Sequence, residues 1–201
     1  AIHPAMIDGY AEQRDSAATY GELGANASPH GKLKQYLAKQ AMLDGTKGEL
    51  AAALPVAWEF AVDPRDSGLI AQWYRPGNHG GPAWRPIDTT RTMEPQGWQD
   101  ADLQGYDGYC WYRITFTVPE RFAGRPLRLF IGALNDQGWF WVNGHYAGTQ
   151  PFHQYWMRWK YHHEVDITPF VHAGENTLVV RVYNEQSFGG IFRRSFVYAP
   201  K

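Results

Sequence analysis

The sequence lacks the features that mark several protein classes. Its 201 residues include a single cysteine, Cys110, so neither an internal disulfide nor a cysteine-based zinc cluster can form. The formal net charge is −1, an even balance that gives no reason to expect a nucleic-acid or membrane-surface protein. No apolar run approaches the roughly 20 residues of a membrane-spanning helix. A basic-then-apolar leader is also missing, as expected of a mature protein or of a piece of a longer one.

Charge is sparse and turn-forming residues are abundant. Charged side chains make up 19% of the sequence, whereas it contains 21 glycines and 13 prolines. This balance predicts many turns and few long solvated helices. The 44% hydrophobic content excludes global disorder, and the length suits one substantial core rather than two full domains.

Aromatic residues divide the chain into two regions near Leu54-Pro55. Residues 1–53 contain only three of them, and residues 54–201 contain all nine tryptophans. In the first region, Ser28-Pro29 is typical of a helix N-terminus, and a second short helix is predicted over 47–53. We therefore predict an N-terminal loop and helical connector over 1–53, which docks on a main domain over 54–201.

The second region has the two-residue period of β-strands. Apolar and polar side chains alternate across Trp111–Val118, and the same period recurs at 127–131 and 178–182. Asn143-Gly144 predicts a type I′ hairpin turn, which needs positive φ angles at both residues. Eight or so short strands with glycine and proline turns predict a sandwich or barrel. Further strands are predicted at 56–62, 69–74, 83–88, 161–166 and 191–198.

Enzyme signatures are sparse. The sequence has no Gly-x-Ser-x-Gly elbow, no phosphate-binding glycine loop and no His-Glu-x-x-His motif. His162 and His163 are neighbours, so on a strand they would point to opposite faces and would not chelate one ion. Loop carboxylates and carbonyls would suit a structural calcium ion, and no other cofactor is expected. Seven carboxylates are candidates for a glycosidase pair, with turn and cap roles as the alternative: Glu59, Asp63, Asp66, Asp136, Glu164, Asp166 and Glu185.

Aromatic and polar side chains are densely mixed in the segment 149–163, which follows a hairpin. A flat aromatic ring can stack on the apolar face of a sugar, while amide, imidazole and guanidinium groups bind its hydroxyls. We therefore predict a saccharide site at one end of the sandwich, in which Trp156 or Trp159 stacks on the sugar. The alternative is that these aromatics pack the loop onto the sandwich. The predicted ligand-binding residues are His153, Gln154, Tyr155, Trp156, Arg158, Trp159, Tyr161 and His162 in this segment, helped by Trp73, Trp84, Asn184 and Phe188.

Two tryptophans on one predicted strand, Trp139 and Trp141, would both face away from the core. They would form either a ligand platform or the seat of the N-terminal helices. The helices are favoured, because a large apolar patch is seldom left bare. Trp58, Trp98 and Trp111 are predicted to be core residues.

Several motifs follow one another in an order typical of one family. The motifs are Gly108–Pro119, Leu127–Gly132, Trp141–Gly148, Asp166–Phe170, Gly174–Asn184 and Gly189–Ile191. This order resembles the galactose-binding-like jelly roll of bacterial glycoside hydrolases, notably the sugar-binding domain of family 2 enzymes. The resemblance covers about 56–198.

The resemblance implies an all-β, galactose-binding-like jelly-roll sandwich with a short N-terminal helical extension. It also implies a non-catalytic carbohydrate-binding module that targets a covalently linked enzyme to a polysaccharide or oligosaccharide. The host protein would be bacterial and secreted, periplasmic or on the cell surface. Two alternatives stay open: a non-binding structural domain that supports a glycosidase active site, and an independent lyase or hydrolase. Arginine outnumbers lysine 13 to 6, and five arginines would suit the carboxylate or sulfate groups of an anionic algal or plant glycan: Arg113, Arg158, Arg181, Arg193 and Arg194.

Overall fold

Antiparallel strands account for most of the structure. The computed structural model describes residues 48–78, 81–98, 105–152, 162–186 and 188–201. Within them, no helix is long and apolar enough to cross a membrane. The helix predicted at Ser28-Pro29 lies outside the described residues. The strands are β1 Gly48–Ala53, β2 Ala57–Asp63, β3 Arg85–Asp88, β4 Gly108–Val118, β5 Arg128–Ile131, β6 Ala133–Asn135, β7 Gln137–Val142, β8 His145–Gln150, β9 His163–Asp166, β10 Gly174–Asn184, β11 Gly190–Arg193 and β12 Phe196–Pro200, and two 3₁₀ turns span Glu94–Gln96 and Glu120–Phe122.

The strands form two main sheets around one core. One sheet has the order β3-β2-β4-β10-β7-β8, the other has the order β1-β12-β5-β9, and β6 pairs with β11. The longest pairing joins β4 and β10 over their whole length, from Gly108 opposite Asn184 to Val118 opposite Gly174. Apolar side chains of both sheets form one buried cluster, which includes Tyr112, Phe140, Leu178, Val180, Leu129, Val197 and Ala199. The predicted all-β sandwich is confirmed.

The two-residue period places the side chains of each strand on alternate faces. On β4, Tyr112 and Phe116 belong to the core, whereas Trp111 belongs to a separate cluster on the outer face of the six-stranded sheet. The predicted hairpin turn is also confirmed, because Asn143 has a φ of 52° and Gly144 a φ of 81°. Positive φ at both positions gives this turn the twist that matches its flanking strands.

The short helix predicted over 47–53 is wrong for the residues that the structure describes. Gly48–Ala53 forms β1, which pairs antiparallel with β12 from Gly48 opposite Pro200 to Ala53 opposite Phe196. The alanine-rich sequence favours a helix locally, but pairing with β12 and burial of Ala51 outweigh that weak preference. The sheet therefore begins before the composition boundary at Leu54-Pro55.

The strand predicted at 69–74 is also wrong, since this stretch consists of turns. The carboxylate of Asp63 accepts hydrogen bonds from the backbone N–H groups of Ser67 and Gly68, at 2.8 Å each. The amide of Trp73 then donates to the carbonyl of Gly68 at 3.0 Å, which continues the turn. Local side-chain bonds of this kind compete with strand pairing.

The segment 64–78, called the strap below, covers part of the outer face of the six-stranded sheet. Tyr74 stacks on Trp141 with ring centroids 5.2 Å apart, and Trp73 packs edge-on against Trp111 at 5.8 Å. Trp141 is consequently buried. Residues 1–47 lie outside the described part of the chain, so the predicted seat of the N-terminal helices stays a prediction. Among the described residues, Tyr74 occupies that place.

Candidate functional site

Several strand ends converge at one end of the sandwich, called the loop end below. On the six-stranded sheet, Gln150 at the end of β8 pairs with Gly138 near the start of β7. On the other sheet, His163 at the start of β9 pairs with Ile131 at the end of β5. The last residue of β8 and the first residue of β9 therefore both lie at the loop end, and the saccharide site expected between them stays a prediction.

Buried side-chain amides connect the segments of the loop end. Gln150 is 1% exposed, and its Nε2 donates to the carbonyls of Leu134 and Asp136 at 2.9 and 3.2 Å. Asn135 donates from Nδ2 to the carbonyl of Phe188 at 2.8 Å. The last residue of β8 is thus tied, through 134–136, to the segment that follows β10.

The described residues at and after the end of β10, 184–186 and 188–189, are called the 184–189 segment below and have further fixed points. The amide of Glu185 donates to Oδ2 of Asp136 at 2.9 Å, and the amide of Gly189 donates to Oε1 of Glu94 at the same distance. Asn184 is fully buried and donates from Nδ2 to the carbonyl of Tyr106 at 3.0 Å. The side chain of Asn184 therefore lies on the core face of β10, where a ligand in solvent cannot contact it.

Three acidic side chains, Asp107, Asp136 and Glu185, lie close together at the loop end, and the buried Arg193 lies on β11 opposite Ala133. Burial is the main cause of the raised pKa of Asp136, and the charges of Glu185 and Asp107 raise it further, against the bond from the Glu185 amide. Burial and the Glu185 charge also raise the pKa of Tyr183, which lies nearby. A carboxylate or sulfate ligand would be repelled at these positions, whereas sugar hydroxyls can donate to Glu185 or Asp107.

Two of the five arginines predicted to favour an anionic glycan are paired within this chain, and Arg158 lies outside the described residues. Arg113 is paired with Glu59 at 2.7 Å and lies over the ring of Trp84. Arg181 is buried, is paired with Asp66, and lies over the ring of Tyr109. Because their guanidinium groups are already matched by carboxylates of this chain, these two arginines are not available to a ligand.

Two of the candidate carboxylates, Asp63 and Asp166, have the turn role given as the alternative, and Glu59, Asp66 and Glu164 bind side chains of this chain. Asp63 holds the strap, and Asp166 accepts from the amide of Thr168 at 3.0 Å, which confirms the Asx-type turn predicted there. Glu164 accepts a hydrogen bond from the hydroxyl of Tyr198. Within the described ranges, no three His, Cys, Asp or Glu residues are grouped to hold a metal ion.

The structure brings only some of the predicted site residues together. Phe188 lies at the loop end, half-buried, with its carbonyl bound by Asn135. His162 is exposed beside Glu164 and stacks on Phe130 at 4.6 Å. Seven of the predicted residues lie outside the described part of the chain, and they are His153, Gln154, Tyr155, Trp156, Arg158, Trp159 and Tyr161.

Trp73 and Trp84 lie on the outer face of the six-stranded sheet rather than with the 184–189 segment. Their rings are 6.4 Å apart, and both belong to the cluster of Trp111. Asn184 lies on the opposite face, because the odd-numbered residues of β10 point outward and the even-numbered ones inward. The strap lays Trp73 on the sheet, and Trp84, which directly precedes β3, packs against it there; the strand predicted at 69–74 did not anticipate this.

Three residues of the loop end were missed as functional residues at the sequence level. Glu94, Asn135 and Gln150 are at most 8% exposed and organise the loop end. No periodic pattern marks them, because each bonds to a backbone group distant in sequence. The one available signal is the position of Gln150, a polar residue that ends a strand just before an aromatic loop.

Comparisons with known proteins agree with this architecture. The family model described as glycosyl hydrolases family 2, sugar binding domain, matches residues 52–193. A β-glucuronidase of Paenibacillus borealis is 30% identical over 137 residues, which are 63% of this chain and 20% of that protein. The human β-glucuronidase is 30% identical over 133 residues, which are 58% of this chain and 18% of that protein.

A solved structure shows the same fold. The β-glucuronidase of Ruminococcus gnavus in complex with D-glucuronic acid superposes with a TM-score of 0.65 and 17% identity, over 78% of this chain and 30% of that one. The chain spans about a fifth of the length of the curated relatives that it matches. On the match over 52–193, the chain belongs to the family of the sugar-binding domain of family 2 glycosyl hydrolases.

Proposed function

We propose that this domain is a non-catalytic carbohydrate-binding domain that holds a linked family 2 glycosidase on its glycan. The loop end, with the segment 151–162, is the contact surface. The observation that carries this proposal is the convergence of both ends of that aromatic segment at the loop end, where Gln150 is fixed to 134–136. A rigid frame beneath a loop is the usual arrangement of binding sites.

The chemistry of the surface favours a neutral saccharide. The segment 151–162 supplies Trp156 and Trp159, whose flat faces suit the C–H groups of a sugar ring. The exposed carboxylates Asp107 and Glu185 can accept hydrogen bonds from hydroxyls without needing a positive ligand. An uncharged polysaccharide, such as a plant cell-wall glycan, meets both requirements.

A second candidate is a structural domain that supports the active site of the linked enzyme. It is favoured by the many buried polar side chains of the loop end, such as Asn135 and Asn184, whose amides are occupied by internal hydrogen bonds. For the whole protein, which would be secreted, periplasmic or on the cell surface, we propose β-glucuronidase activity because its relatives carry that name. Assay of the full-length gene product with p-nitrophenyl β-D-glucuronide and other p-nitrophenyl glycosides tests this.

Affinity electrophoresis against a panel of polysaccharides tests the first candidate. We expect the chain to be retarded by at least one of them, and Trp156→Ala or Trp159→Ala to weaken that binding about 30-fold, roughly 2 kcal/mol, because an aromatic stacking partner is lost. The melting temperature should change little. Tyr146→Ala is the control, since Tyr146 is 51% exposed on β8 near the Asn143-Gly144 turn, at the far end of the sandwich.

The two candidates give different results in that experiment. If no polysaccharide retards the wild-type chain, and both tryptophan variants melt at a clearly lower temperature, these tryptophans are packing residues and the structural role is correct. If Tyr146→Ala weakens binding as much as Trp156→Ala does, the binding surface is not at the loop end.

A further inference from the structure

We infer that Glu94 is a positioning residue, which fixes the 184–189 segment in the geometry that a saccharide meets at the loop end. The inference rests on the proposed function, because it assigns to that surface a residue which does not touch the ligand. Glu94 is 1% exposed, so a ligand in solvent cannot reach its carboxylate. An effect of Glu94 on binding is therefore indirect, through the residues that its carboxylate holds, of which Gly189 belongs to the loop end.

Two hydrogen bonds join Gly189 to residues 93–94, one of them to Glu94 itself. The amide of Gly189 donates to Oε1 of Glu94 at 2.9 Å, and the amide of Met93 donates to the carbonyl of Gly189 at 3.3 Å. Both backbone polar groups of Gly189 are therefore taken up by one short stretch, 93–94. Gly189, whose amide and carbonyl are both bound, cannot shift or rotate without breaking two hydrogen bonds.

The stretch that carries Glu94 is itself rigid. Gln96 accepts from the amide of Asp88 at 2.8 Å through its Oε1, and its Nε2 donates to the carbonyls of Asp88 and Thr92 at 2.9 Å each. These bonds close the loop between β3 and the 3₁₀ turn Glu94–Gln96. The loop can thus serve as a fixed support for Gly189.

The rest of the segment is held by residues 135–136, at Glu185 and at Phe188. Asp136 accepts from the amide of Glu185 at 2.9 Å, and Asn135 donates to the carbonyl of Phe188 at 2.8 Å. Glu94 completes this set at Gly189. A contact segment that is ordered before the ligand arrives loses less conformational entropy on binding, which raises affinity without a new contact.

Substitutions at Glu94 separate the effect of side-chain length from the effect of the negative charge. Glu94→Gln keeps an acceptor oxygen at the same distance from Gly189, whereas Glu94→Asp keeps the charge but is one methylene too short. Glu94→Ala removes both. The measurements are affinity electrophoresis on the polysaccharide that retards the wild-type chain most, the hydrogen-exchange rate of the Gly189 amide, and the melting temperature. Glu175→Ala is the control, since Glu175 is exposed on β10 at the far end of the sandwich.

We expect Glu94→Asp and Glu94→Ala to weaken binding about tenfold and to speed exchange of the Gly189 amide by a similar factor. Glu94→Gln should bind like the wild type, as should Glu175→Ala. If Glu94→Ala does not fold, the comparison of Glu94→Asp with Glu94→Gln decides the matter.

The outcomes distinguish this inference from the proposed function. If the wild-type chain binds a polysaccharide and Glu94→Asp binds it equally well despite faster exchange at Gly189, the positioning role is wrong and the proposed function stands. If Glu94→Gln weakens binding as much as Glu94→Asp does, the positioning role is also wrong, because the length of the side chain that carries the acceptor would then have no effect on binding. If the wild-type chain binds no polysaccharide, the proposed function fails, and the inference fails with it.

Discussion

Gly190→Ala is expected to lower the free energy of unfolding by about 3–5 kcal/mol. Gly190 has a φ of 91°, a conformation that alanine adopts only with strain. Its added Cβ would also lie well inside contact distance of the buried hydroxyl oxygen of Tyr112, and 3.3 Å from the Cζ that carries it. For a domain of this size, that loss corresponds to a fall in melting temperature of roughly 10–15 °C.

Two further variants divide this effect into its parts. Gly174→Ala has a similar φ of 95° but no atom within 4 Å of the added Cβ, so it should lose only the roughly 1–2 kcal/mol of backbone strain. In the double variant Gly190→Ala with Tyr112→Phe, the crowded hydroxyl is gone, and part of the lost stability should return. Urea denaturation of the four proteins measures these differences. If Gly190→Ala lowers the free energy of unfolding no more than Gly174→Ala does, the close approach to Tyr112 does not contribute to the loss of stability.

The strands of the sandwich are predictable from the sequence because their two faces have different surroundings. β4 and β10 have one face in the apolar core, whereas much of the other face carries polar, partly exposed residues such as Arg113, Thr115 and Thr177, so a two-residue period is visible in the sequence. The Asn143-Gly144 turn is predictable because it depends only on two local φ angles. Local rules are sufficient for these elements.

Elements that depend on distant partners are not predictable in this way. β1 forms because it pairs with β12, almost 150 residues later, although its own sequence favours a helix. The strap turns where Asp63 accepts hydrogen bonds from residues that follow it and from Trp111, which lies on another strand. Neither long-range partner leaves a period in the sequence.

The candidate site shows the same division. The sequence predicts that the aromatic segment after the hairpin lies at one end of the sandwich, and the described residues on either side of it, Gln150 and His163, lie at the loop end. The frame beneath the segment could not be predicted, since Glu94 and Asn135 act on backbone groups of residues about 50 to 95 positions later. Buried polar groups must find partners, but the sequence does not say which.

Asp63→Ala is expected to lower the free energy of unfolding by about 4 kcal/mol, because it leaves buried donors without an acceptor. The carboxylate accepts from the Nε1 of Trp111 at 2.9 Å and from the amide of Gly68 at 2.8 Å, and both bonds are buried. It also accepts from the amide and hydroxyl of Ser67. Without it, the strap loses its anchor, and Trp73 and Tyr74 lose the turn that lays them on the sheet.

The carboxylate of Asp63 should also make the free energy of unfolding depend on pH. Burial raises the pKa of Asp63, but the bonds from Trp111, Ser67 and Gly68 outweigh burial and hold its pKa below the ordinary value of 3.8. A group with a lowered pKa in the folded state stabilises that state above the unfolded pKa, and this contribution is lost as pH falls through the folded value. The wild-type chain should therefore lose part of its stability below about pH 4.

Asp63→Asn is the variant that separates the hydrogen bonds from the charge. Its amide keeps one acceptor oxygen and does not titrate in this range, so we expect a loss of roughly 2 kcal/mol at pH 7 and a smaller further loss between pH 5 and pH 2 than in the wild type. Urea midpoints measured across that range provide the comparison. The control is Asp166→Asn, because the pKa of Asp166 is also lowered, by bonds to Thr168, but this carboxylate lies on the surface away from the strap. If Asp63→Asn and wild type lose stability in parallel as the pH falls, the carboxylate of Asp63 does not hold the strap by its charge, and the turn depends on its backbone bonds alone.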